Sequence, residues 1–233
     1  QFDRLPTELP ENARPLIPGN WRELTTATVA FGHGIAVTPL QASMAVAAIV
    51  NGGNLIRPTF VKGTPLEPRI LATNVVTPQT GEALRFLMRL NAEVGSAKKA
   101  DVAGYFVGGK TGTSEKVVNG RYSGERVLTA FMGIVPADKP RYLFLTILDE
   151  PKALPETSGF RTSGWNAVPV TGDIMKRTLP LLPITPSQER PSNPFPEMVR
   201  IGAWGSERFL PVSPEPDRTG VQNVAAPAKT AAE

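Results

Sequence analysis

Cysteine is absent from the 233 residues, and histidine occurs once, as His33. Disulfides, thiolate nucleophiles, zinc fingers and iron–sulfur clusters are therefore excluded, and a single histidine argues against a histidine-built metal site. We expect neither a metal nor a cofactor. The longest strongly apolar run, 44–50, is far shorter than the roughly 20 residues that span a bilayer. Aromatic residues make up only 7% of the chain and no basic run exceeds Lys98-Lys99, so nucleic acid is not an expected partner.

The remaining composition is that of a globular domain followed by a tail. Apolar residues make up 41% of the sequence, and the formal net charge of +4 is spread along the chain. At about 150 residues per domain, the length allows one domain and a tail. Ten of the 24 prolines fall in the last 54 residues, from Pro180 onward. This shift predicts a folded part over 1–182 and a proline-rich, loosely ordered tail over 183–233.

Two helices are predicted from their first residues. Thr38 and Thr77 are each followed by proline, which pairs an N-cap residue with a proline at the first helical position. The first helix is expected over 40–50, largely buried, and the second is expected to end at Gly95. Strand-like segments follow at 104–107, 126–135 and 141–148, and a last helix is expected over 169–179. Helices, three antiparallel strands and a further helix predict an α+β fold.

The densest chemical signal is the sequence GGKTGTS at 108–114. Together with Gly104 it satisfies the phosphate-loop pattern G-x-x-x-x-G-K-[ST] over 104–111. The apolar run 144–148, followed by Asp149-Glu150, imitates a strand that ends in a magnesium-binding aspartate. The pattern alone therefore allows a nucleotide hydrolase.

The surroundings of the motif disfavour a phosphate loop. Such a loop follows a buried strand and precedes a helix whose N-terminus holds the phosphates. Here the polar segment 98–101 precedes Gly104, the expected loop contains the strand formers Tyr-Phe-Val, and Gly112 stands where the helix would begin. We therefore interpret 110–113 as part of a strand.

The strand interpretation gives the four residues of this motif two faces. Lys110 and Gly112 point one way and Thr111 and Thr113 the other, unless a bulge reorients them. An edge strand that contains Gly112 lets an extended peptide approach its backbone, and an ammonium and two hydroxyls supply donors for a carboxylate. The motif fits a site that grips the C-terminus of a peptide. It fits a glycine-rich hairpin edge with a solvated lysine equally well.

Four segments stand out along the chain: TVAFGHGIAVTPLQ at 28–41, AIVNGG at 48–53 with Pro58 after it, GGKTGT at 108–113 and GWNAVP at 164–169. In this order they resemble the C-terminal half of the transpeptidase domain of class B penicillin-binding proteins, most closely the division-specific (septal) type. The resemblance runs from about Phe2 to Leu182. It implies the α+β fold of penicillin-binding and β-lactamase-like proteins, an antiparallel sheet flanked by helices.

The resemblance implies a serine D,D-transpeptidase that cross-links peptidoglycan. A serine attacks the penultimate D-alanine carbonyl of a stem peptide, and the acyl group then passes to an amine of a neighbouring strand. The family signature is S-x-x-K, S-x-N and K-[ST]-G, of which 110–112 matches the third motif. By this resemblance Lys110 and Thr113 are catalytic, the lysine through its charge and the threonine through its backbone N–H in the oxyanion hole. Thr111, Gly112 and Thr113 bind the substrate or β-lactam.

The other two motifs of the family are where this chain departs from it. No S-x-N triplet occurs, and the one formal S-x-x-K runs from Ser96 to Lys99, just after the predicted helix end at Gly95. The family's nucleophile instead begins a buried helix far upstream of the lysine motif. We therefore do not assign Ser96 as the nucleophile. We expect the nucleophilic serine, its lysine and the S-x-N motif in sequence that precedes Gln1, and this chain alone to be inactive.

Other candidate residues are assigned structural roles. His33, between two glycines, is expected to pack beside a tight turn rather than to act in catalysis. Asp149 and Glu150 are expected to end a strand rather than to bind a metal ion. Trp165 and Asn166 are expected to anchor the last helix.

The resemblance also implies a cellular setting. Because the chain begins with glutamine and shows no signal peptide, we interpret it as a piece of a longer protein. That protein is expected to be anchored in the bacterial inner membrane, with this part on the periplasmic face. The implied partners are peptidoglycan stem peptides, β-lactams and, through the parent protein, membrane proteins of the divisome. The alternative outside the enzymes is a non-catalytic interaction fragment.

Overall fold

The computed structural model describes residues 4–5, 7–11, 13–63, 69–187, 198–203 and 206–211. It divides the chain into two compact units, Gln1–Pro194 and Phe195–Glu233. The described part of the chain contains no helix with the length and hydrophobicity that a membrane span requires. The first unit holds the elements that position the candidate site.

The N-terminal part of the first unit is built from two helices and two short strands. Helix α1 spans Glu23–Val29, and helix α2 spans Pro39–Val50. Strands β1 (Leu55–Ile56) and β2 (Ile70–Ala72) pair in an antiparallel manner. The start of α2 is fixed by a capping box in which Thr38 accepts a hydrogen bond from the backbone N–H of Gln41.

These helices depart from the sequence prediction in two ways. Helix α1 is not among the helices that the sequence predicts, and it buries none of its side chains. Helix α2 begins and ends as predicted, but only Met44, Ala48 and Val50 are buried, so the expected burial of most of its surface is wrong. Only one face of the helix is packed, because the residues that contact it lie mainly at its C-terminal end.

Helix α3 spans Pro78–Val94 and leads directly to the motif strand. Thr77 caps its start by accepting from the backbone N–H of Thr80, and Gly95 ends it, as predicted. Its side chains Arg89 and Asn91 donate to backbone carbonyls next to and within that strand. The helix is thereby fixed along the free edge of the sheet.

The central sheet has three antiparallel strands in the order β3–β4–β5, as the sequence predicts. They are β3 (Gly108–Val118), β4 (Arg121–Val135) and β5 (Tyr142–Asp149). Asn119 and Gly120, both at positive φ, connect β3 to β4 in the manner of a two-residue type I′ turn.

Helix α4, Ala167–Thr178, packs against the sheet and completes the core. Phe131, Met175 and Val168 are fully buried among the side chains that the sheet and helix share. At Gly172 a Cβ atom would lie 2.6 Å from the carbonyl oxygen of Lys99, so the helix approaches the 98–100 turn more closely than any side chain permits. This contact holds the turn beside the end of the sheet.

The predicted strand at 104–107 is wrong, although its residues are good strand formers. Gly104 and Phe106 have positive φ, which a regular strand does not contain. The carbonyl of Phe106 accepts from the N–H of Ala137, and that of Val107 accepts from Arg89. These tertiary hydrogen bonds hold the segment as a turn, so regular pairing begins at Gly108.

The end of the chain carries more structure than a loose tail. Leu182 and Ile184 pack against the core, and Ser187 donates to the carbonyl of Gly104, so the contacts continue beyond 182. In the second unit, β6 (Met198–Ala203) pairs with β7 (Ser206–Pro211) in an antiparallel manner. The other tail residues predicted to be loosely ordered, 188–197, 204–205 and 212–233, lie outside the described part.

Candidate active site

The motif residues lie on strand β3, which forms one end of the three-stranded sheet. The carbonyls of Val107 and Gly109 accept from Arg89 and Asn91, at 2.8 and 2.9 Å, and therefore point away from β4. Backbone groups alternate in direction along an antiparallel strand, so those of Thr111 and Thr113 face the same free edge. An extended ligand can reach the backbone N–H of Thr113 there.

An open cleft of about 360 Å³ lies beside this edge. Its three walls come from segments that are distant in sequence. They are the turn after α3 with Gly95, Ser96, Lys98 and Lys99, strand β3 with Thr111 and Thr113, and the segment 162–165 before α4. The cleft thus brings together hydroxyl groups, two ammonium groups and an indole ring.

Thr111 and Thr113 share one wall of the cleft and are held differently. The hydroxyl oxygen of Thr111 lies 2.9 Å from that of Ser96. The hydroxyl oxygen of Thr113 accepts the backbone N–H of Ser163 at 3.1 Å. Ser163 is itself buried and donates its hydroxyl to the carbonyl of Ala130 at 2.7 Å, which fixes its backbone against β4.

Lys110 and Gly112 are not among the residues that line the cleft. The irregularity of β3 lies further along, between Glu115 and Lys116, so it does not reorient these side chains. Lys110 folds back so that its Nζ donates to the carbonyl of Thr111 at 2.6 Å, close to the free edge. A Cβ at Gly112 would meet only Ala130, at 3.9 Å, so this glycine is not required for packing. The four predicted residues thus take the two sides that strand alternation predicts.

The other two walls of the cleft carry cationic and aromatic side chains that contact each other. The ammonium of Lys99 lies 3.6 Å from the centre of the Trp165 ring. The Phe160 ring stacks on the Trp165 ring, with ring centres 5.3 Å apart. Asn166 caps α4, as expected, by accepting from the N–H of Ala167. Trp165, by contrast, lines the cleft, which the sequence interpretation did not foresee.

Ser96 also lies in the cleft, although its hydrogen bonds are not those of an activated nucleophile. A nucleophilic serine needs a base within hydrogen-bond reach. The described hydrogen bonds of the Ser96 hydroxyl join it to Asn91 Oδ1 at 3.2 Å and to Thr111, not to a lysine. Lys99, the lysine of the formal S-x-x-K motif, does not serve as that base, because its ammonium lies over the Trp165 ring.

The remaining candidates lie outside the cleft. His33 is exposed and lies in the turn at 31–34, and its Nδ1 lies 2.9 Å from the hydroxyl of Tyr122 near the β3–β4 turn. Asp149, which ends β5, and Glu150 just after it pair with Lys116 at 2.5 and 3.0 Å, and the two carboxylates raise the pKa of that lysine. Within the described ranges, no group of three or more metal-ligating side chains is found.

The phosphate-loop alternative is wrong on the same geometry. Lys110 and Thr111 lie inside a strand that continues to Val118, so no helix N-terminus follows the motif. Gly104 begins a turn rather than ending a buried strand. The backbone amides of a phosphate loop are therefore not assembled here.

Comparison with known proteins identifies the family. Residues 3–176 match the family described as penicillin binding protein transpeptidase domain. The chain belongs to this family. The probable peptidoglycan D,D-transpeptidase FtsI of Caulobacter vibrioides is 38% identical over 205 residues, which cover 82% of this chain and 35% of that protein. Stage V sporulation protein D of Bacillus subtilis is 35% identical over 173 residues, which cover 70% of this chain and 26% of that protein.

Solved structures of the family share the fold. The transpeptidase domain of Burkholderia pseudomallei penicillin-binding protein 3 superposes with a TM-score of 0.67 at 29% identity, covering 79% of this chain and 55% of that chain. Penicillin-binding protein 3 of Mycobacterium tuberculosis, solved in complex with ampicillin, gives 0.62 at 28%, covering 79% and 44%. The α+β class and the family predicted from four sequence segments are thus confirmed. This chain spans only 35% and 26% of the lengths of the two curated relatives named above.

Sequence reasoning missed several residues that build the cleft. Ser163 and Asn91 carry no motif, and each acts through a hydrogen bond to a strand about 20 to 50 positions away in sequence. Lys98 and Lys99 were weighed as a basic pair and as part of a formal motif, not as a wall of this site. Only the GWNAVP segment, next to Ser163, marked this part of the chain in the sequence.

Proposed function

We propose that this chain carries the carboxylate-binding part of a serine D,D-transpeptidase that cross-links peptidoglycan during septal cell-wall synthesis. The observation that carries the proposal is that Thr111 and Thr113 line the same cleft as Lys98 and Lys99. Hydroxyl donors and nearby ammonium groups are what an anionic peptide C-terminus requires. Membership of the family supports this assignment.

In the proposed reaction, the motif strand binds the D-alanyl end of a stem peptide. Thr111 and Thr113 donate to the terminal carboxylate, and Gly112 leaves room for the peptide backbone along the free edge. The backbone N–H of Thr113 faces that edge and stabilises the oxyanion that forms when a serine attacks the penultimate carbonyl. Lys110, with its Nζ beside the same edge, adds positive potential.

The acylated serine is assigned to a part of the protein outside these 233 residues. The chain has no S-x-N triplet, and its one formal S-x-x-K serine is bonded to Asn91 and Thr111. The complete protein would attack the donor peptide, release D-alanine and pass the acyl group to an amine of a neighbouring strand. Cross-linked peptidoglycan is the product.

The names of the relatives suggest the setting. One is a probable peptidoglycan D,D-transpeptidase FtsI, and a structural neighbour was solved in complex with ampicillin. We extend these to stem peptides and β-lactams as ligands of the complete protein. We further propose that the complete protein works at the periplasmic face of the bacterial inner membrane, beside membrane proteins of the divisome.

Labelling with a fluorescent penicillin tests the proposal. The complete protein should be acylated, whereas the 233-residue chain should not. Thr111→Val and Thr113→Val, which keep the shape and delete the hydroxyl, should each lower the second-order acylation rate about 10- to 150-fold. That range corresponds to a lost hydrogen bond to a charged group, about 1.5–3 kcal/mol. Lys110→Met should cost at least as much, because it removes a full charge.

His33→Ala is the matched control, because His33 lies outside the cleft and contacts Tyr122. It should leave the acylation rate of the folded protein unchanged. Equal rates for the threonine and lysine variants and the parent protein would contradict the placement of the site. Failure of penicillin to label the complete protein would support the alternative, a non-catalytic interaction module.

A further inference from the structure

We propose that Asn91 and Ser96 are positioning residues that set the direction of the Thr111 hydroxyl. The inference rests on the proposed function, because it concerns how that hydroxyl is oriented before and after a carboxylate binds. Three side chains form a continuous chain of hydrogen bonds, from the backbone of β3 through the turn after α3 and back to β3. Each hydrogen bond restricts the direction of the next.

The chain of hydrogen bonds begins at Asn91, whose orientation is fixed by β3. Its Nδ2 donates to the carbonyl of Gly109 at 2.9 Å, so its Oδ1 points toward the turn after α3. An amide oxygen can only accept. The Ser96 hydroxyl, whose oxygen lies 3.2 Å from this Oδ1, must therefore be the donor.

The donation by Ser96 determines the state of Thr111. A hydroxyl has one proton, so Ser96, having given its proton to Asn91, must accept at its second contact. The second contact is the Thr111 hydroxyl, at 2.9 Å. In this arrangement the Thr111 proton points at Ser96, and both lone pairs of the Thr111 oxygen remain able to accept.

Thr113 is prepared in the opposite way. Its oxygen accepts the backbone N–H of Ser163, which cannot receive a proton in return. The Thr113 proton is therefore free to point at a ligand before any ligand arrives. The two hydroxyls of this wall differ, one being preset as a donor and the other turned away.

A carboxylate reverses the direction of the Thr111 hydroxyl. Because a carboxylate only accepts, Thr111 must rotate its proton toward the ligand. Ser96 can then rotate its own proton from Asn91 to the Thr111 oxygen, so that the short contact is kept with donor and acceptor exchanged. Both steps are rotations about C–O bonds, and no proton leaves its oxygen. Ser96 therefore acts through Thr111 and is not itself a nucleophile.

The end of α3 places these residues at the right separation. Gly95 lies between Asn91 and Ser96, and a Cβ at this glycine would collide with the Asn91 side-chain oxygen. The N–H groups of Gly95 and Ala97 both donate to the Asn91 carbonyl, which holds the turn tightly. The helix end thus keeps Ser96 within reach of Asn91 and Thr111 together.

A matched pair of variants in the complete protein tests the inference. The Ser96→Thr variant keeps a hydroxyl at this position. The Ser96→Val variant has a side chain of nearly the same shape that lacks the hydroxyl. Acylation rates are measured with a penicillin that carries its free carboxylate and with its methyl ester. With the free acid, Ser96→Val should be about 3- to 10-fold slower than Ser96→Thr, because only a hydroxyl at this position can donate to the Thr111 oxygen and keep the Thr111 proton directed at the carboxylate. With the ester, the two variants should differ less than about 2-fold, because a neutral acceptor bonds more weakly.

A double-mutant cycle separates positioning from direct binding. In a Thr111→Val background, the Ser96→Thr and Ser96→Val variants should have equal acylation rates, because the hydroxyl through which Ser96 acts is gone. Urea unfolding of each variant confirms equal folding. An undiminished difference in that background, or an equal difference with the ester, would overturn the inference.

Three further outcomes distinguish this inference from the proposed function. If the threonine variants slow acylation but Ser96→Val and Ser96→Thr acylate equally, the inference alone is wrong. If Ser96→Val abolishes labelling, Ser96 is the nucleophile and its positioning role is wrong. If the unsubstituted complete protein is not acylated, the proposed function is wrong and this inference falls with it.

Discussion

The sheet region, residues 78–187, and the N-terminal region, residues 13–63, use apolar side chains in opposite ways. In the sheet region, Phe131, Ile134 and Met175 are completely buried. In the N-terminal region, Leu24 and Phe31 remain 75% and 76% exposed, and α1 buries no side chain. A similar apolar content therefore produces a core only where a second layer, here sheet against helix, covers it.

The two regions meet at the C-terminal end of α2. Val50 forms a buried cluster with Ile134 and Ala137, with Ile49 and Val46 packed beside it. Helix α1 has no comparable contact with the sheet among its described side chains. We therefore expect the sheet region to open only on global unfolding, whereas α1 opens locally at a smaller free-energy cost.

The largest test of this comparison is a pair of phenylalanines. Phe131→Ala removes a fully buried ring and should lower the free energy of unfolding by about 3–5 kcal/mol. Phe31→Ala removes a ring that is 76% exposed and should change it by no more than about 0.5 kcal/mol. Urea unfolding measures both. Similar losses for the two variants would show that Phe31 is covered in solution.

Glycines give a second pair of tests, with a smaller effect. A Cβ at Gly109 would overlap the Phe131 ring and lie 2.8 Å from the carbonyl oxygen of Met132, so Gly109→Ala should cost about 1–3 kcal/mol. Gly19 in the N-terminal region has open space around it, so Gly19→Ala should cost less than about 0.5 kcal/mol. Thermal or urea unfolding compares them.

Gly112→Ala sharpens this test inside the sheet region. Its nearest atom would be the Ala130 carbonyl oxygen at 3.9 Å, so the variant should fold nearly as well as the parent protein. In the complete protein it tests the proposed binding role of Gly112, which does not itself line the cleft: slower acylation at unchanged stability is expected if the peptide backbone approaches this residue closely along the free edge. A strongly destabilised Gly112→Ala would show that this glycine serves packing.

The cap of α2 tests whether the N-terminal region opens by itself. Thr38→Ala deletes the capping box and should lower the local stability of α2 by about 1 kcal/mol. Hydrogen exchange should detect this loss at α2 amides and not at the amides of β4. If β4 amides lose the same protection, the two regions unfold as one unit and the comparison fails.

The smallest expected effect is the pH dependence of one ion pair in the sheet region. The hydrogen bonds that the Lys116 ammonium donates to the Asp149 and Glu150 carboxylates raise the pKa of Lys116 above its ordinary value of 10.5. Its contribution to stability is therefore fully present below that value and is lost as the pH rises through the raised pKa. The stability difference between the parent protein and Lys116→Met should be larger at pH 8 than at pH 11 in urea unfolding. The effect is small because the side chains are solvent-accessible.

Local sequence signals determined where helices α2 and α3 begin and how side chains alternate along β3. Thr38 and Thr77, each before a proline, placed the starts of α2 and α3, and Gly95 placed the end of α3, because capping and chain termination depend on neighbouring residues. The alternation of Lys110, Thr111, Gly112 and Thr113 between two sides followed from strand geometry alone. The family was also recognisable, since four segments in order require no knowledge of their contacts.

Tertiary structure alone decided how the cleft is built. Ser96 meets Thr111 and Ser163 meets Thr113 because the segments after α3 and before α4 pack beside β3, and these two hydrogen bonds span 15 and 50 positions in sequence. The start of β3 at Gly108 was decided in the same way, by tertiary hydrogen bonds that override the strand propensity of the segment before it. The physical reason is that propensities and caps depend on nearby residues, whereas a binding site depends on contacts that exist only after the chain has closed its loops.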